Sequence, residues 1–233
     1  MRRFALALAL AALAAPRSFA TGLVCPSGVL DSRGYGAVPL FSALPMSGSS
    51  FAARWSKALP ELAKEFPGLR FETPENLHVT LVFVSTAGWD STRIDEYERY
   101  ALDGPEVSSG PLVMKGVLDT FGPKKDVAVL HLKPVPAEWS SRLMKDRDVL
   151  TASGLRPRDR YDDVFEAHVS LAFARDAEKG RAQLRRFEKR LSAQASRFDG
   201  LEVRLDRSSK PALFLVLGGG DSVRFVPLKA YCR

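Results

Sequence analysis

The sequence predicts an α+β protein built mainly on antiparallel sheet. Three observations lead there: short β-branched and aromatic runs that read as strands, amphipathic stretches at helical spacing between some of them, and no strict strand–helix alternation. With 233 residues, 45% hydrophobic and 26% charged, the chain suits one sizeable core, and global disorder, collagen and disulfide mini-protein classes are excluded. No apolar run reaches the roughly 18 residues of a membrane span.

The elements follow in order. After a Gly, Ser and Pro-rich entry, Ala37 to Ala43 reads as a strand. Phe51, Trp55, Leu59 and Leu62 then recur at helical spacing behind Ser49 and Ser50, with Pro60 expected to kink or divide that helix. Leu77 to Val84 reads as a buried strand. Ile94, Tyr97 and Ala101 suggest a second helix with Ser91 as its N-cap. Two strands are expected at Pro111 to Leu118 and Asp126 to Leu132, then a helix over Ala137 to Ala152 stopped by Gly154. Val164 to Phe173 is the next strand. Asp176 then caps a helix whose inner face is Ala177, Leu184, Phe187, Leu191 and Ala195 and whose outer face carries Arg181, Arg185, Arg186, Lys189 and Arg190. Strands at Leu201 to Leu205, Ala212 to Leu217 and Arg224 to Leu228 close the chain, the last two joined by a turn at Gly218 to Gly220.

The amino terminus stands apart. Met1, Arg2 and Arg3 precede an Ala/Leu run from Phe4 to Ala15, and small residues at Ser18 and Ala20 offer a cleavage site. This pattern reads as a secretory signal over 1–20, followed by a linker at 21–36 and one domain at 37–233. A secreted or periplasmic protein is expected, with an organellar transit peptide as the alternative. Cys25 and Cys232 then lie near opposite ends of the mature chain. An oxidising compartment would let them form a bridge; two unrelated thiols are the other reading.

One short pattern occurs twice. Residues 77–83 read Leu-His-Val-Thr-Leu-Val-Phe and residues 167–173 read Ala-His-Val-Ser-Leu-Ala-Phe. Residues two apart on a strand share a face, so His78 stands beside Thr80 and His168 beside Ser170. A lone His on an apolar strand is usually a packed core residue. Here two of only three histidines fall in one seven-residue context, each with its hydroxyl. The chemistry suited to such a pair is phosphodiester transfer: one neutral imidazole takes a proton, the other, protonated, gives one to the departing oxygen. Thr80 and Ser170 can donate to the non-bridging phosphate oxygens.

On these motifs the sequence resembles the 2H phosphoesterase superfamily, and Glu75-Asn76-Leu77-His78-Val79-Thr80-Leu81 is similar to the first motif of its bacterial RNA 2′,3′-cyclic phosphodiesterase and 2′-5′ RNA ligase branch. Leu201 to Ser208 looks like that branch's late strand. The resemblance implies a bilobed fold, two pseudo-symmetric antiparallel sheets flanked by helices with a central cleft holding the phosphate. It also implies a metal-independent enzyme without a cofactor. Its function would be hydrolysis of a 2′,3′-cyclic phosphate or a 2′-5′ phosphodiester, with His168 preferred as base and His78 as acid. The alternatives are a 2′-5′ RNA ligase running the reverse chemistry and a non-catalytic RNA or nucleotide-binding module. The chain departs from the branch at Ala167, where Pro commonly precedes the second His, and at Phe173, where a basic residue commonly follows; Arg175 is the nearest cation.

Around the motifs, Tyr161 and Phe165 are candidates to stack on a base. Arg156, Arg158 and Arg160 form a basic loop that can meet a phosphate chain, a solvated run being the bland reading. His131, which lacks a hydroxyl two residues on, reads first as structural and second as a substrate contact. No zinc-ligand spacing and no phosphate-binding Gly-rich loop is present, so no metal is expected. The formal charge of +7 is uneven: residues 21–120 hold 8 basic and 12 acidic side chains, residues 121–233 hold 23 and 15. The partners that the resemblance implies, RNA ends, oligonucleotides or cyclic nucleotides, are expected to lie over this basic second half. A monomer with no membrane contact is expected, and salt should weaken longer substrates most.

Overall fold

The computed structural model describes residues 23–102, 112–159, 163–176, 178–205 and 209–233. The leader over 1–20, Pro111, Arg160, Tyr161, Ala177 and the end of the late strand candidate at Ser208 lie outside the described residues.

In chain order the elements are β1 (Leu40–Pro45), α1 (Ser50–Glu65), β2 (Leu69–Phe71), β3 (His78–Ser85), α2 (Ile94–Ala101), β4 (Leu112–Phe121), β5 (Val127–Lys133), α3 (Ala137–Ala152), β6 (His168–Ala174), α4 (Lys179–Ala193), β7 (Glu202–Leu205), β8 (Ala212–Leu217), β9 (Arg224–Pro227) and α5 (Leu228–Tyr231). They form two antiparallel sheets, ordered β3-β1-β8-β9 and β2-β6-β5-β4-β7. The bilobed α+β expectation is met. The lobes are not successive halves, however, since the first sheet takes strands from both ends of the chain. With β1 paired to β8 and β8 to β9, the termini are drawn together. Cys25 and Cys232 form the bridge that the sequence left open, their Cα atoms 4.3 Å apart across 207 residues. Val24 and Arg233 exchange backbone hydrogen bonds beside it.

Helices also cross between the lobes. α1, from the first half of the chain, packs against β2 and β7 of the five-stranded sheet, where Trp55 meets Phe71, Phe187 and Phe198. α3, from the second half, packs on β3 and α2 of the other lobe. One continuous core therefore runs through both sheets, and burial of its aromatic and aliphatic side chains fixes each lobe against the other. α4 sits so close to β6 that a Cβ on Gly180 would lie 2.5 Å from Ala174 Cβ, so only glycine fits there.

Several expectations need correction. Pro60 neither divides nor ends α1, because Ser56, whose carbonyl the proline leaves unbonded, is on the exposed side while Trp55 and Leu62 hold the helix to the core. Ser91 does not cap α2. It opens a short 3₁₀ turn whose cap is Asp90, accepting from Thr92 N, and α2 begins after it. β6 begins at His168 rather than Val164, which is 61% exposed. β4 runs on to Phe121, three residues past the expected end, which brings an aromatic ring to the cleft. The three-residue β2 carried too few residues to show a period. Asp176 does act as a cap, its Oδ1 accepting from Glu178 N and Lys179 N at 2.9 Å each.

Candidate active site

β3 is the edge strand of one sheet, and it lies beside β6 of the other. Alternation along each strand sends Val79 and Leu81, and Val169 and Leu171, into the core. His78 and Thr80, and His168 and Ser170, take the opposite face and are all half-buried. The two motifs thus meet at the lobe boundary.

Both imidazoles are held in the same way. His78 Nδ1 lies 2.7 Å from Asn76 O, and His168 Nδ1 lies 2.8 Å from Glu166 O. A carbonyl can only accept, so each Nδ1 carries the proton and each neutral ring keeps its lone pair on Nε2. Thr80 Oγ1 donates to His78 Nε2 at 3.1 Å. Burial pushes the His78 imidazole down to about 4, the Asn76 carbonyl opposing the shift and His168 adding to it. His168 is also pushed below its ordinary value by burial, with the Glu166 carbonyl opposing and His131 adding.

Aromatic rings make these surroundings. Phe41 and Phe225 flank His78 with ring centroids 5.0 and 4.7 Å away, the second edge-on. Phe121 stacks on His168 at 4.5 Å and 29°. The backbone that aims His78 is itself pinned. Asn76 Nδ2 donates to Glu72 Oε2 at 3.0 Å and to Val223 O at 2.9 Å, while Phe225 N donates to Asn76 Oδ1 at 3.1 Å. One buried amide therefore ties the carbonyl under His78 to the strand whose Phe225 covers the ring.

A cavity of about 570 Å³ opens between the motifs, lined by Thr80 and His168 together with Phe83, Phe121, Arg147, Arg156 and the acids Asp159, Asp163 and Glu166. The two arginines are fixed to backbone: Arg147 Nη2 donates to Leu81 O at 3.0 Å, and Arg156 Nε to Phe83 O at 3.0 Å. The position after the second motif is accounted for. Phe173 lies under the Arg70 guanidinium, and Arg175 pairs with Asp221, so the cleft's arginines come from α3 and the following loop instead.

Among the other candidates, Phe165 is 7% exposed and packs on Trp139 at 5.6 Å, which makes it core with one edge in a wall rather than an open stacking platform. Arg158 is exposed and paired with Asp163 at 3.2 Å. Arg160 and Tyr161 lie outside the described residues. His131 is the larger surprise. It pairs in register with His168 across β5 and β6, its ring 6.0 Å from that of His168 and 6.2 Å from Phe121, so it faces the cleft. Arg147 had no local signal, being one basic residue on a helix among many. Asn76 was present in the first motif without a visible task. Among the described residues, no group of three or more His, Cys, Asp or Glu side chains is placed to hold a metal ion, and no helix is long and apolar enough to cross a membrane.

No protein-family model matches the chain. It is 29% identical over 158 residues to the RNA 2′,3′-cyclic phosphodiesterase of Bacillus subtilis strain 168, covering 64% of this chain and 82% of the relative. Its fold is that of the Thermus thermophilus protein TT0787, with a TM-score of 0.55 at 16% identity over 82% of this chain and 95% of the other. E. coli LigT in its apo form overlays with a TM-score of 0.47, also at 16% identity, over 82% and 94%. The chain is thus similar in sequence to the Bacillus RNA 2′,3′-cyclic phosphodiesterase and in fold to TT0787, and its paired His-x-Thr/Ser strands are the feature by which it resembles the 2H phosphoesterase superfamily.

Proposed function

We propose that the chain hydrolyses a 2′,3′-cyclic phosphate, at an RNA end or on a nucleotide, by acid–base catalysis between His78 and His168. The observation that carries this reading is the matched tethering of the two rings, each Nδ1–H on the carbonyl two residues upstream, so that each Nε2 carries the lone pair, that of His78 accepting from the Thr80 hydroxyl. In the forward reaction a water oxygen forms a bond to phosphorus while an imidazole Nε2 removes its proton. The bond from phosphorus to one ribose oxygen breaks, and the other imidazolium gives that oxygen its proton. The product is a ribose phosphomonoester with the neighbouring hydroxyl restored. Proton removal and delivery come from the chain's own side chains, so the scheme calls for no metal or cofactor.

The electrostatics favour roles opposite to those preferred from the sequence. His78, pushed lower, holds its neutral form over the wider pH range and suits the base; His168, beside the Glu166 carboxylate, suits the acid. Thr80, Ser170 and the Arg147 and Arg156 guanidiniums are the donors for charge developing on the non-bridging oxygens. Export fits the leader pattern over 1–20 and the Cys25–Cys232 bridge, since disulfides persist in oxidising compartments.

The test is a ³¹P NMR assay of an RNA oligonucleotide ending in a 2′,3′-cyclic phosphate, with EDTA present. Conversion to one phosphomonoester supports the proposal, and the 2′ or 3′ position of that phosphate identifies the leaving oxygen. Binding without conversion would replace the proposal with a non-catalytic module, and joining to a 5′-hydroxyl strand would replace it with a ligase.

A further inference from the structure

Between Phe71 and His78 the chain crosses from one lobe to the other. β2 of the five-stranded sheet ends at Phe71, a single 3₁₀ turn occupies Pro74–Asn76, and β3 of the other sheet begins at His78. Glu72 opens this crossover. It is 1% exposed, a carboxylate at a core position that an aliphatic side chain would fill without the penalty of a buried charge. Burial pushes its carboxyl above the ordinary value, and the Asn76 and Arg70 donors offset only part of that shift. Its polar groups reach both motifs. The backbone N–H donates to Leu171 O, inside the second motif, at 2.9 Å. Oε2 accepts from Asn76 Nδ2 at 3.0 Å, two residues before His78. Oε1 accepts from Arg70 Nη1 at 3.3 Å, and that guanidinium lies 4.0 Å over the ring of Phe173, the last residue of the second repeat. The Glu72 carbonyl accepts from Trp55 Nε1 at 2.7 Å, which anchors the residue to the core.

Resting on the acid–base function proposed above, we propose that Glu72 is a positioning residue, whose carboxylate clamps the crossover between the lobes and so sets His78 against His168. On one side it holds Asn76, whose carbonyl accepts from His78 Nδ1 at 2.7 Å and whose side-chain oxygen accepts from the backbone of Phe225, the residue edge-on to the His78 ring. On the other side the Glu72 N–H and the Arg70 guanidinium hold the same residue to β6, the strand on which His168 stands. β3 and β6 lie in different sheets, so Glu72 gives them a hydrogen-bonded path that no ladder supplies. The spacing matters because the attacking and departing oxygens lie roughly in line through phosphorus, with one imidazole at each. A misplacement of about 1 Å costs on the order of 10²-fold in rate. A carboxylate suits the place because its two oxygens take donors from two directions at once. Stability alone does not call for it, since buried ion pairs are often replaced by apolar side chains without loss.

The experiment compares the full chain with Glu72→Leu and Glu72→Gln, each checked for folding by circular dichroism, in steady-state kinetics on a 2′,3′-cyclic nucleotide and in ¹⁵N NMR of the imidazoles. Glu72→Leu keeps the volume and removes both ties; kcat is expected to fall about 10–10²-fold while KM moves less than about threefold. Glu72→Gln keeps an oxygen for Asn76 Nδ2 and is expected to retain most of kcat. In the ¹⁵N spectra the wild-type His78 should show the Nδ1–H tautomer alone, and Glu72→Leu a mixture of tautomers, a change that lowered global stability does not produce in a folded protein. Full kcat in the folded Leu variant, or an equal loss in the Leu and Gln variants, overturns the positioning role. If Glu72→Leu does not fold, Glu72→Asp replaces it, keeping the charge but drawing the carboxylate back from Asn76; the same fall in kcat is expected, and full kcat overturns the role. If the wild-type protein turns over no cyclic nucleotide, the proposed function fails. Glu72 is then judged by the ¹⁵N spectra, and a His78 tautomer unchanged in the folded variant overturns its role.

Discussion

His78 and His168 each donate Nδ1–H to the backbone carbonyl two residues before them, at 2.7 and 2.8 Å. The two rings come from different sheets, yet the same local geometry sets the same tautomer in both. Each Nδ1 is bonded to backbone, so the lone pair of each neutral ring is on Nε2, which in His78 accepts from the Thr80 hydroxyl.

The proposed roles of the two rings set the expected pH dependence of catalysis. kcat/KM reports the free enzyme, in which the proposed mechanism requires His78 neutral and His168 protonated. With His78 at about 4 and His168 below its ordinary 6.5, the profile is expected to be a bell lying on the acid side of neutrality, its acid limb near pH 4. Bound phosphate, an anion between the rings, raises both values, so the kcat profile should lie at higher pH than that of kcat/KM. Initial-rate measurements from pH 3.5 to 8.5 check both curves.

The same shift acts on stability. A histidine whose value is depressed on folding binds fewer protons in the native state than in the unfolded one. Its stabilisation is therefore fully present above about pH 6.5 and is lost as pH falls toward 4. Urea titrations at pH 7 and pH 4.5 should show His78→Gln losing less stability on acidification than wild type. The difference is expected to be about 1 kcal/mol, after discounting for the half-exposed ring.

Thr80 lines the cavity and its hydroxyl reaches His78 Nε2. Thr80→Val keeps the shape and removes the donor, and is expected to lower kcat by about 10²-fold with a smaller change in KM. Steady-state kinetics on a cyclic nucleotide supply the measurement, and Thr80→Ser should restore most of the rate.

Asn76 acts through position. Asn76→Ala frees the Phe225 N–H and the Val223 carbonyl and takes a partner from the buried Glu72. A loss of about 2–4 kcal/mol of stability is expected. Below the melting transition kcat should also fall, since the carbonyl that aims His78 belongs to the same residue. Thermal denaturation and kcat measured on one preparation separate the two effects.

The Cys25–Cys232 bridge ties the ends of the first sheet and lies outside the cavity linings. Cys25→Ser/Cys232→Ser is expected to cost about 2–5 kcal/mol in chemical denaturation and to leave kcat/KM at 25 °C within twofold.

The four motif residues of the candidate site were more legible in the sequence than their setting. The seven-residue repeat placed His78, Thr80, His168 and Ser170 on strands, because a period of two and a hydroxyl two residues on are local facts. The ends of α3 were equally legible, from its apolar spacing and the glycine after it. What crosses between the lobes was not. Arg147 enters the cleft because α3 packs on the other lobe, and His131 faces His168 because β5 and β6 pair in register, both long-range facts with no local signature. Pro60 misled for a related reason: local propensity argued for a break, and burial of Trp55 and Leu62 outweighed it.

The most direct measurement is kcat/KM on a 2′,3′-cyclic nucleotide, with EDTA present, for wild type, His78→Ala, His168→Ala and the double variant, each checked for folding by circular dichroism. Acid–base catalysis by the pair predicts a loss of about 10²–10⁴-fold in each single variant and a double variant little worse than the weaker single, because the two rings act in one step. A folded single variant that keeps more than about one-tenth of the wild-type value would contradict the account.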